Sequence, residues 1–295
     1  MNLTQLRAFH RVARAGSFSL AARTGGVSQP TLSAQVKALE AGYGVGLFDR
    51  KGRGVRLTPV GQSLYAVTGR LFAAEEEAQA LLAGSRALTR GHLRVSADSA
   101  YHVMPILKEL KRRHDGLTFS LKIDNSQAVL AQVMDHGADV AVMAKMTSDP
   151  RLHSMRLRED SLVLFVPRDH AWSRRRRVRL AEVAGRDLVV RERGSITREV
   201  FESRLAAAAI RPGALVEVET REAVREAVAA GFGIGVVFES EFGNDPRFRA
   251  LRVADAELAV GEYVVCLEER KRLALVRAFL DVAERFATRR PARAA

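Results

Sequence analysis

Two adjacent glycines, Gly25 and Gly26, sit between a pair of short helix signals and confine residues 17–40 to a tight helix–turn–helix. Ser17 is placed to cap a first helix over about Phe18–Thr24, which carries Leu20, Ala21 and Ala22. The glycines break it. Ser28 then caps a second helix, with Pro30 in the first turn, where a missing N–H costs nothing. Leu32, Val36 and Leu39, at spacings of four and three, form the buried stripe of that helix. Its other face keeps Gln29, Thr31, Ser33, Gln35 and Lys37, donors and acceptors suited to base edges and phosphates. A small amphipathic helix with a hydrogen-bonding outer face, entered through a tight turn, is what a reader of the DNA major groove requires.

The next residues extend the pattern. Asp49–Arg56 has the glycines of a hairpin, and Arg50, Lys51, Arg53 and Arg56 place four cations in seven residues. A basic wing beside a recognition helix can follow phosphates or enter a minor groove. Residues 1–60 hold nine Lys and Arg against only Glu40 and Asp49, so +7 of the chain's +13 lies in its first fifth. A solvated helical bundle with an ordinary basic loop is the competing reading. Charge concentrated on a helix–turn–helix–wing pattern weighs against it.

These residues resemble the N-terminal domain of LysR-type transcriptional regulators. The resemblance rests on Leu3–Phe9, Gly16-Ser17-Phe18, Ala21-Ala22, Val27–Ser33, Lys37–Glu40, Leu47–Arg50, Leu57-Thr58-Pro59 and Gly61. It implies double-stranded DNA as a partner, with contacts from Ser28, Gln29, Pro30, Thr31, Ser33, Gln35, Lys37, Arg50, Arg53 and Arg56. Two departures stand out: Gly25 replaces a leucine often found before the Gly-Val-Ser, and Ala34 stands where many members carry arginine.

At 295 residues, 47% hydrophobic and 27% charged, the chain is expected to form two or three modules of an ordinary globular protein. It shows neither a basic-then-apolar leader nor an apolar run near the ~20 residues that span a bilayer, so a cytoplasmic protein with no membrane partner is expected. The one cysteine, Cys266, lies in the apolar stretch Tyr263–Leu267 and reads as inert core. The seven histidines lack metal-ligand spacing, and neither a nucleophile elbow nor a P-loop is present. No cofactor, no metal and no enzymatic activity are expected.

Thr58 and Pro59 supply the cap and first position of a long helix. From there Val60, Leu64, Val67, Leu71, Ala74, Ala78 and Leu81 recur with a mean step of 3.5 residues, the period of a coiled-coil seam. A single helix packed on its own domain is the alternative. The resemblance implies that this linker is the dimerisation helix, and that Val60, Leu64, Val67, Leu71 and Leu81 meet a second chain. Glu75-Glu76-Glu77 reads as a solvated face, with fraying near Gly84 and a hinge at Arg90-Gly91.

After His92 the pattern changes to alternating strands and helices. Strands are expected at 93–97, 118–123, 138–144, 161–166, 187–191, 215–219 and 234–238, and helices at 99–114, 126–136, 196–209 and 222–230. Such alternation argues for parallel sheets flanked by helices. The fold class expected is therefore α/β with an N-terminal all-α winged helix-turn-helix, a long linker helix and a two-lobed effector domain. The resemblance makes that domain similar to periplasmic solute-binding proteins. The limits expected are 1–58 for DNA binding, 59–90 for the linker and 91–295 for the effector domain. Within it, lobe I takes about 92–162 and 264–290, and lobe II about 163–263. Arg174–Arg177 with Arg179 read as an exposed, solvated loop.

In open parallel sheets, ligands bind beyond the carboxyl ends of strands, where helix N-termini present free N–H groups. Four such junctions can be read, at Asp98-Ser99, Asn125-Ser126, Gly194–Arg198 and Thr220-Arg221-Glu222. Ser99, Ser126, Ser195 and Thr197 are equally good helix caps. Their recurrence favours a site for a small anion or zwitterion, with Arg198 or Arg221 on the anion, Asp98 or Glu222 on an ammonium, and Tyr101 as one wall. Ala97–Pro105, Gly194–Arg198, Arg221–Val236 and Glu262–Leu267 also resemble a LysR subgroup associated with 2-aminoethylphosphonate catabolism, which implies that zwitterion as effector. Another small anion such as a carboxylate, or a ligand-independent architectural DNA-binding protein, are the alternatives. Homodimers are expected. Pairing of dimers into tetramers, contact with RNA polymerase, and activation or repression as output are left open.

Overall fold

The computed structural model describes residues 2–49, 55–83 and 91–287, except for the side chains of 73, 76, 77 and 79–83. The chain forms two compact units, one built mainly on residues 1–88 and the other on residues from 89 onward.

In the first unit, α1 (Leu3–Ala15), α2 (Phe18–Gly25) and α3 (Gln29–Tyr43) pack around Leu6, Phe9, Val12, Leu32, Val36 and Leu39. Asn2, Ser17 and Ser28 cap these helices by accepting from the backbone N–H three residues on. α2 runs one residue beyond the expected Thr24, and Gly26, at φ +64°, makes the turn. β1 (Phe48–Asp49) pairs with β2 (Arg56–Leu57) in antiparallel register as the base of the wing. Glu40 holds that base to α3, its Oε1 accepting from the N–H groups of Leu47 and Phe48 at 2.8 and 3.3 Å. The expectations for Arg50 and Arg53, for fraying near Gly84 and for a hinge at Arg90 lie outside the described residues.

The long helix α4 (Pro59–Ala83) starts as expected: Thr58 accepts from Gly61 N–H at 3.0 Å and donates to the Gly46 carbonyl at 2.7 Å. Gly61 is obligatory there, because a Cβ would stand 2.1 Å from the Leu47 carbonyl oxygen. The seam divides. Val60, Val67 and Leu71 are 51%, 48% and 38% exposed, too open for residues that serve a core of their own. Leu64 instead is half-buried against the helix-turn-helix core, with Tyr65 and the buried Phe72. One side of α4 thus packs within the chain and the other does not. The side chain of Leu81 lies outside the described residues. Glu75 is no solvated face: its carboxylate meets Arg7 at 2.6 Å, and that guanidinium lies 4.8 Å from the Phe72 ring centre.

The second unit is a two-lobed α/β domain on one continuous path of strands. Its elements are β3 (Gly91–Ala97), α5 (Ala100–Arg113), β4 (Leu117–Ile123), α6 (Ser126–Met134), β5 (Val140–Met143), β6 (Leu152–Pro167), β7 (Arg177–Val178), β8 (Leu188–Arg191), α7 (Ile196–Ala207), β9 (Leu215–Val218), α8 (Arg221–Ala229), β10 (Ile234–Phe238), α9 (Glu239–Phe242), β11 (Phe248–Val253), β12 (Ala259–Leu267) and α10 (Ala274–Ala287). The order is β4-β3-β5-β12-β6-β10-β8-β9, with β11 on β6 and β7 on β11. Parallel pairs occur on both sides, β4-β3-β5 in one lobe and β10-β8-β9 in the other. The all-parallel expectation fails in the middle, where β5-β12, β12-β6 and β6-β10 are antiparallel. β6 is far longer than the expected 161–166: it pairs with β12 as far as Ser161 and with β10 from Leu162. Both lobes therefore hang on the same two strands.

Buried aliphatic and aromatic residues fill each lobe, among them Val129, Val133 and Met143 in the first and Leu164, Trp172, Phe201 and Phe238 in the second. Asp139 is fixed between Arg94 at 2.5 Å and Arg270 at 2.9 Å. Burial disfavours its charge, but the two guanidiniums outweigh that and hold the carboxyl below its usual range. Cys266 is fully buried, and burial pushes its thiol up to about 12, which suits inert core. Among the described residues no helix is long and apolar enough to cross a membrane.

Candidate functional site

The outer face of α3 is built by its cap and its neighbour. Ser28, Gln29, Pro30, Thr31 and Lys37 are exposed, whereas Ser33 and Gln35 are half-buried, which narrows the reading face expected from the sequence. The Ser28 and Thr31 hydroxyls share a 2.7 Å hydrogen bond. Ser19 on α2 donates to Gln29 Oε1 at 2.9 Å. The amide hydrogens of Gln29 are left without a partner among the described residues, so this side chain offers donors to acceptors on base edges. Arg56 is exposed on β2. Gly25 lies under Arg11, whose Nη1 donates to the Gly25 carbonyl at 3.4 Å.

In the second unit a cleft of about 820 Å³ opens at the carboxyl ends of β3, β4, β8 and β9. Ser99, Tyr101, Asn125, Arg221 and Glu222, singled out from sequence, line it. Thr197 reaches a recess of about 10 Å³, which Phe165, Arg191, Arg221, Arg225 and Glu241 also border. Ser195 is buried at the start of α7. Ser99 caps α5, its hydroxyl accepting from Tyr101 N–H at 3.3 Å.

Three expected ligand groups are engaged elsewhere. Asp98 is buried and accepts at Oδ2 from Ser126 Oγ at 2.6 Å and Ala144 N–H at 2.7 Å. It is a lock between β3, α6 and β5, and no ammonium reaches it; Ser126 is committed to the same contact. Arg198 lies off the cleft, paired with Glu202 at 2.8 Å and Glu217 at 2.5 Å and donating to the Arg191 carbonyl at 3.0 Å. The i to i+4 spacing to Glu202 gives that arginine a helical partner.

Sequence reasoning missed Arg191, Arg225, Glu192 and Glu241, all of which line the cleft. Arg191 closes β8 immediately before a junction already suspected, and Arg225 lies one turn beyond Arg221 on the same face of α8. Both were findable. Glu241 follows β10 in the short α9, where the sequence carries no junction signal. Every cleft arginine has a partner within the chain. Arg191 meets Glu192 at 2.7 Å, and Arg225 donates to the carbonyls of Glu241 and Phe242 at 3.0 and 2.6 Å. Arg221 donates to Glu241 at 2.7 Å and to the Asp98 carbonyl at 2.6 Å, joining the two lobes. Burial works against the charge of Glu192, yet the Arg191 guanidinium holds it below the usual range.

Two outcomes follow from these contacts. Gln29→Ala or Thr31→Ala should reduce discrimination between operator and random DNA, by about 1–3 kcal/mol if a good base contact is lost, in competition binding assays. Burial and the nearby charge of Glu262 raise the Asp98 carboxyl from 3.8 to about 6. A raised acid lends stability while it is protonated and loses it as pH rises through the folded value. Wild type should therefore lose thermal stability relative to Asp98→Asn as pH climbs from about 4 to above 6.

Residues 3–62 match the family described as "Bacterial regulatory helix-turn-helix protein, lysR family", and residues 86–287 match the LysR substrate binding domain. The HTH-type transcriptional activator CmpR of Synechocystis is 27% identical over 284 residues, covering 95% of this chain and 93% of that protein. The RuBisCO operon transcriptional regulator of Allochromatium vinosum is 30% identical over 261 residues, covering 87% and 86%. Among solved structures, a full-length OxyR variant from Pseudomonas aeruginosa shares the fold with a TM-score of 0.81 at 21% identity, over 96% of this chain and 95% of that one. These relatives are regulators and not enzymes. With a DNA-binding helix-turn-helix ahead of a two-lobed effector domain, and both family patterns matched in that order, the chain belongs to the LysR family of transcriptional regulators.

Proposed function

We propose that this regulator responds to a small zwitterion or donor-bearing anion held in the cleft, with 2-aminoethylphosphonate as the candidate carried by the subgroup resemblance. The observation that supports it is the charge of the lining: Arg191, Arg221 and Arg225 face Asp124, Glu192, Glu219, Glu222 and Glu241. Three cations among five carboxylates make a poor site for a bare polyanion and a suitable one for a ligand of both signs. Glu241 adds a specific acceptor: its side chain is 5% exposed, and Oε1 has no hydrogen-bond partner among the described residues. It replaces Asp98 as the group to receive an ammonium, with Glu222 at the rim. The anion would lie against Arg191 and Arg225 near the helix starts at Ser99 and Thr220.

The relative named for the RuBisCO operon favours a second reading, in which the target genes serve carbon assimilation and the effector is a phosphate-bearing carboxylate. Calorimetric titration separates the two. 2-Aminoethylphosphonate should bind more tightly than ethylphosphonate, and Glu241→Gln should narrow that gap. A response to phosphate-bearing carboxylates alone decides for the second reading.

The remaining assignments complete the proposal: DNA binding within 1–58, a linker over 59–90, an effector domain from 91, and Ser28, Gln29, Pro30, Thr31, Lys37 and Arg56 at the operator. Dimers form through the open side of α4, at Val60, Val67 and Leu71. Val67→Lys would bury an ammonium in that seam. It should halve the sedimenting mass and weaken operator binding, because two half-sites are no longer engaged together. Leu64→Lys would instead disturb the chain's own core. An unchanged oligomer in Val67→Lys would remove the seam from the proposal.

A further inference from the structure

Where the two lobes join, a cluster of ionisable side chains lies outside the cleft lining. His102 on α5 has no exposed side-chain surface, and beside it Glu262 on β12 and Asp160 on β6 are 1% and 8% exposed. Arg158 comes from β6 and Ser240 from α9. Glu262 stands opposite Arg158 in the ladder, next to the β-bulge between Glu262 and Tyr263, an irregularity that re-aims side chains. One helix of the first lobe, one of the second and both shared strands each contribute a group.

Hydrogen-bond directions fix where the protons are. Ser240 has one hydroxyl hydrogen and gives it to Asp160. Its oxygen is then an acceptor toward Arg158 Nη2 at 2.8 Å and His102 Nε2 at 2.9 Å, so Nε2 carries a hydrogen. The other ring nitrogen, Nδ1, lies 2.8 Å from Glu262 Oε1. Neither oxygen of Glu262 has a well-directed hydrogen bond among the described residues. A bare Nδ1 lone pair against a buried carboxylate at that distance is repulsive, whereas a protonated one makes an ion pair. The charge balance agrees. With an imidazolium, His102 and Arg158 neutralise Glu262 and Asp160; with a neutral ring, one negative charge is left over in a closed site. Asp98, at the end of β3, adds more negative charge nearby, with Arg221 as its counterweight. Tyr101, whose ring centre is 5.7 Å from that of His102, brings no charge that would alter the balance.

We propose that His102 is an imidazolium in this arrangement and that its proton locks the two lobes together, so that losing it loosens the hinge. The reason is positional. The bond from His102 to Ser240 ties α5 to α9, while the contact from His102 to Glu262 pins α5 to the strand both lobes share. Without the proton the second contact becomes repulsive and the buried carboxylates draw water into the hinge. Low pH then favours the lobe angle seen here, and rising pH releases it.

Two measurements on the full-length protein test this. Ring-nitrogen NMR, with His102→Gln identifying the resonance, should find both nitrogens of His102 protonated near pH 7; a ring protonated at Nε2 alone overturns the proposal. Glu262→Gln removes the carboxylate that demands the second proton. Between about pH 6.5 and 8.5, amide protection along 158–162 and 259–262, corrected for intrinsic exchange, should fall about tenfold further in wild type than in Glu262→Gln. Parallel profiles would separate the proton from the hinge and overturn the lock. If Glu262→Gln does not fold, the state of the wild-type ring decides alone.

Discussion

The antiparallel pairing of β6 with β12 is the constraint on which the second unit rests. A βα unit needs a crossover helix to return its strand in parallel, so each lobe can close its own sheet independently. Joining two such sheets demands strands that belong to both. β6 and β12 meet that demand by running antiparallel from Leu152 to Ser161 and from Ala259 to Leu267, after which β6 turns its edge to β10 and β11. The carboxyl ends of β3, β4, β8 and β9 are thereby brought to one opening. The cleft is a consequence of two shared strands, and any change in the angle between lobes must bend them.

The cleft is also already satisfied from within. Arg191, Arg221 and Arg225 each have carboxylates or carbonyls of this chain as partners. A ligand therefore exchanges one set of hydrogen bonds for another, and its net gain is the difference between them. That favours selectivity over raw affinity. A simple anion competes with Glu192 and Glu241 for the same guanidiniums, while a molecule that also donates to Glu241 offers something the empty arrangement lacks.

Much of this was legible in the sequence because the local signals agreed with one another. The caps at Ser17, Ser28, Thr58 and Ser99 lie where they were read, since a hydroxyl before an apolar stripe has few better uses. The antiparallel centre was not legible. β6 carries Arg156, Arg158, Glu159 and Asp160 through its middle, a polar run that reads as loop, and only the pairing with β12 makes it strand. Site residues divided in the same way. Ser99, Asn125 and Arg221 follow from junction rules and line the cleft, but Asp98 obeys the same rules and is drawn inward by Ser126 and the Ala144 N–H. Sequence gives the position along the chain, not the direction in which a carboxylate finds its donors. Glu241 was invisible because its role depends on Arg221, twenty residues away.

The close approach at Gly61 has a mechanical consequence. With no side chain there, the first turn of α4 rests on the Leu47 carbonyl, and Thr58 bonds both to that turn and to Gly46. Leu47 and Phe48 are in turn clamped by Glu40 of α3. The long helix, the root of the wing and the recognition helix are thus one stiff joint with no slack residue between them. Twist applied along α4 arrives at α3 as rotation of a rigid body. A lever of 25 residues, about 37 Å long, can then turn a small rearrangement at its far end into a displacement at the DNA comparable to the spacing of bases.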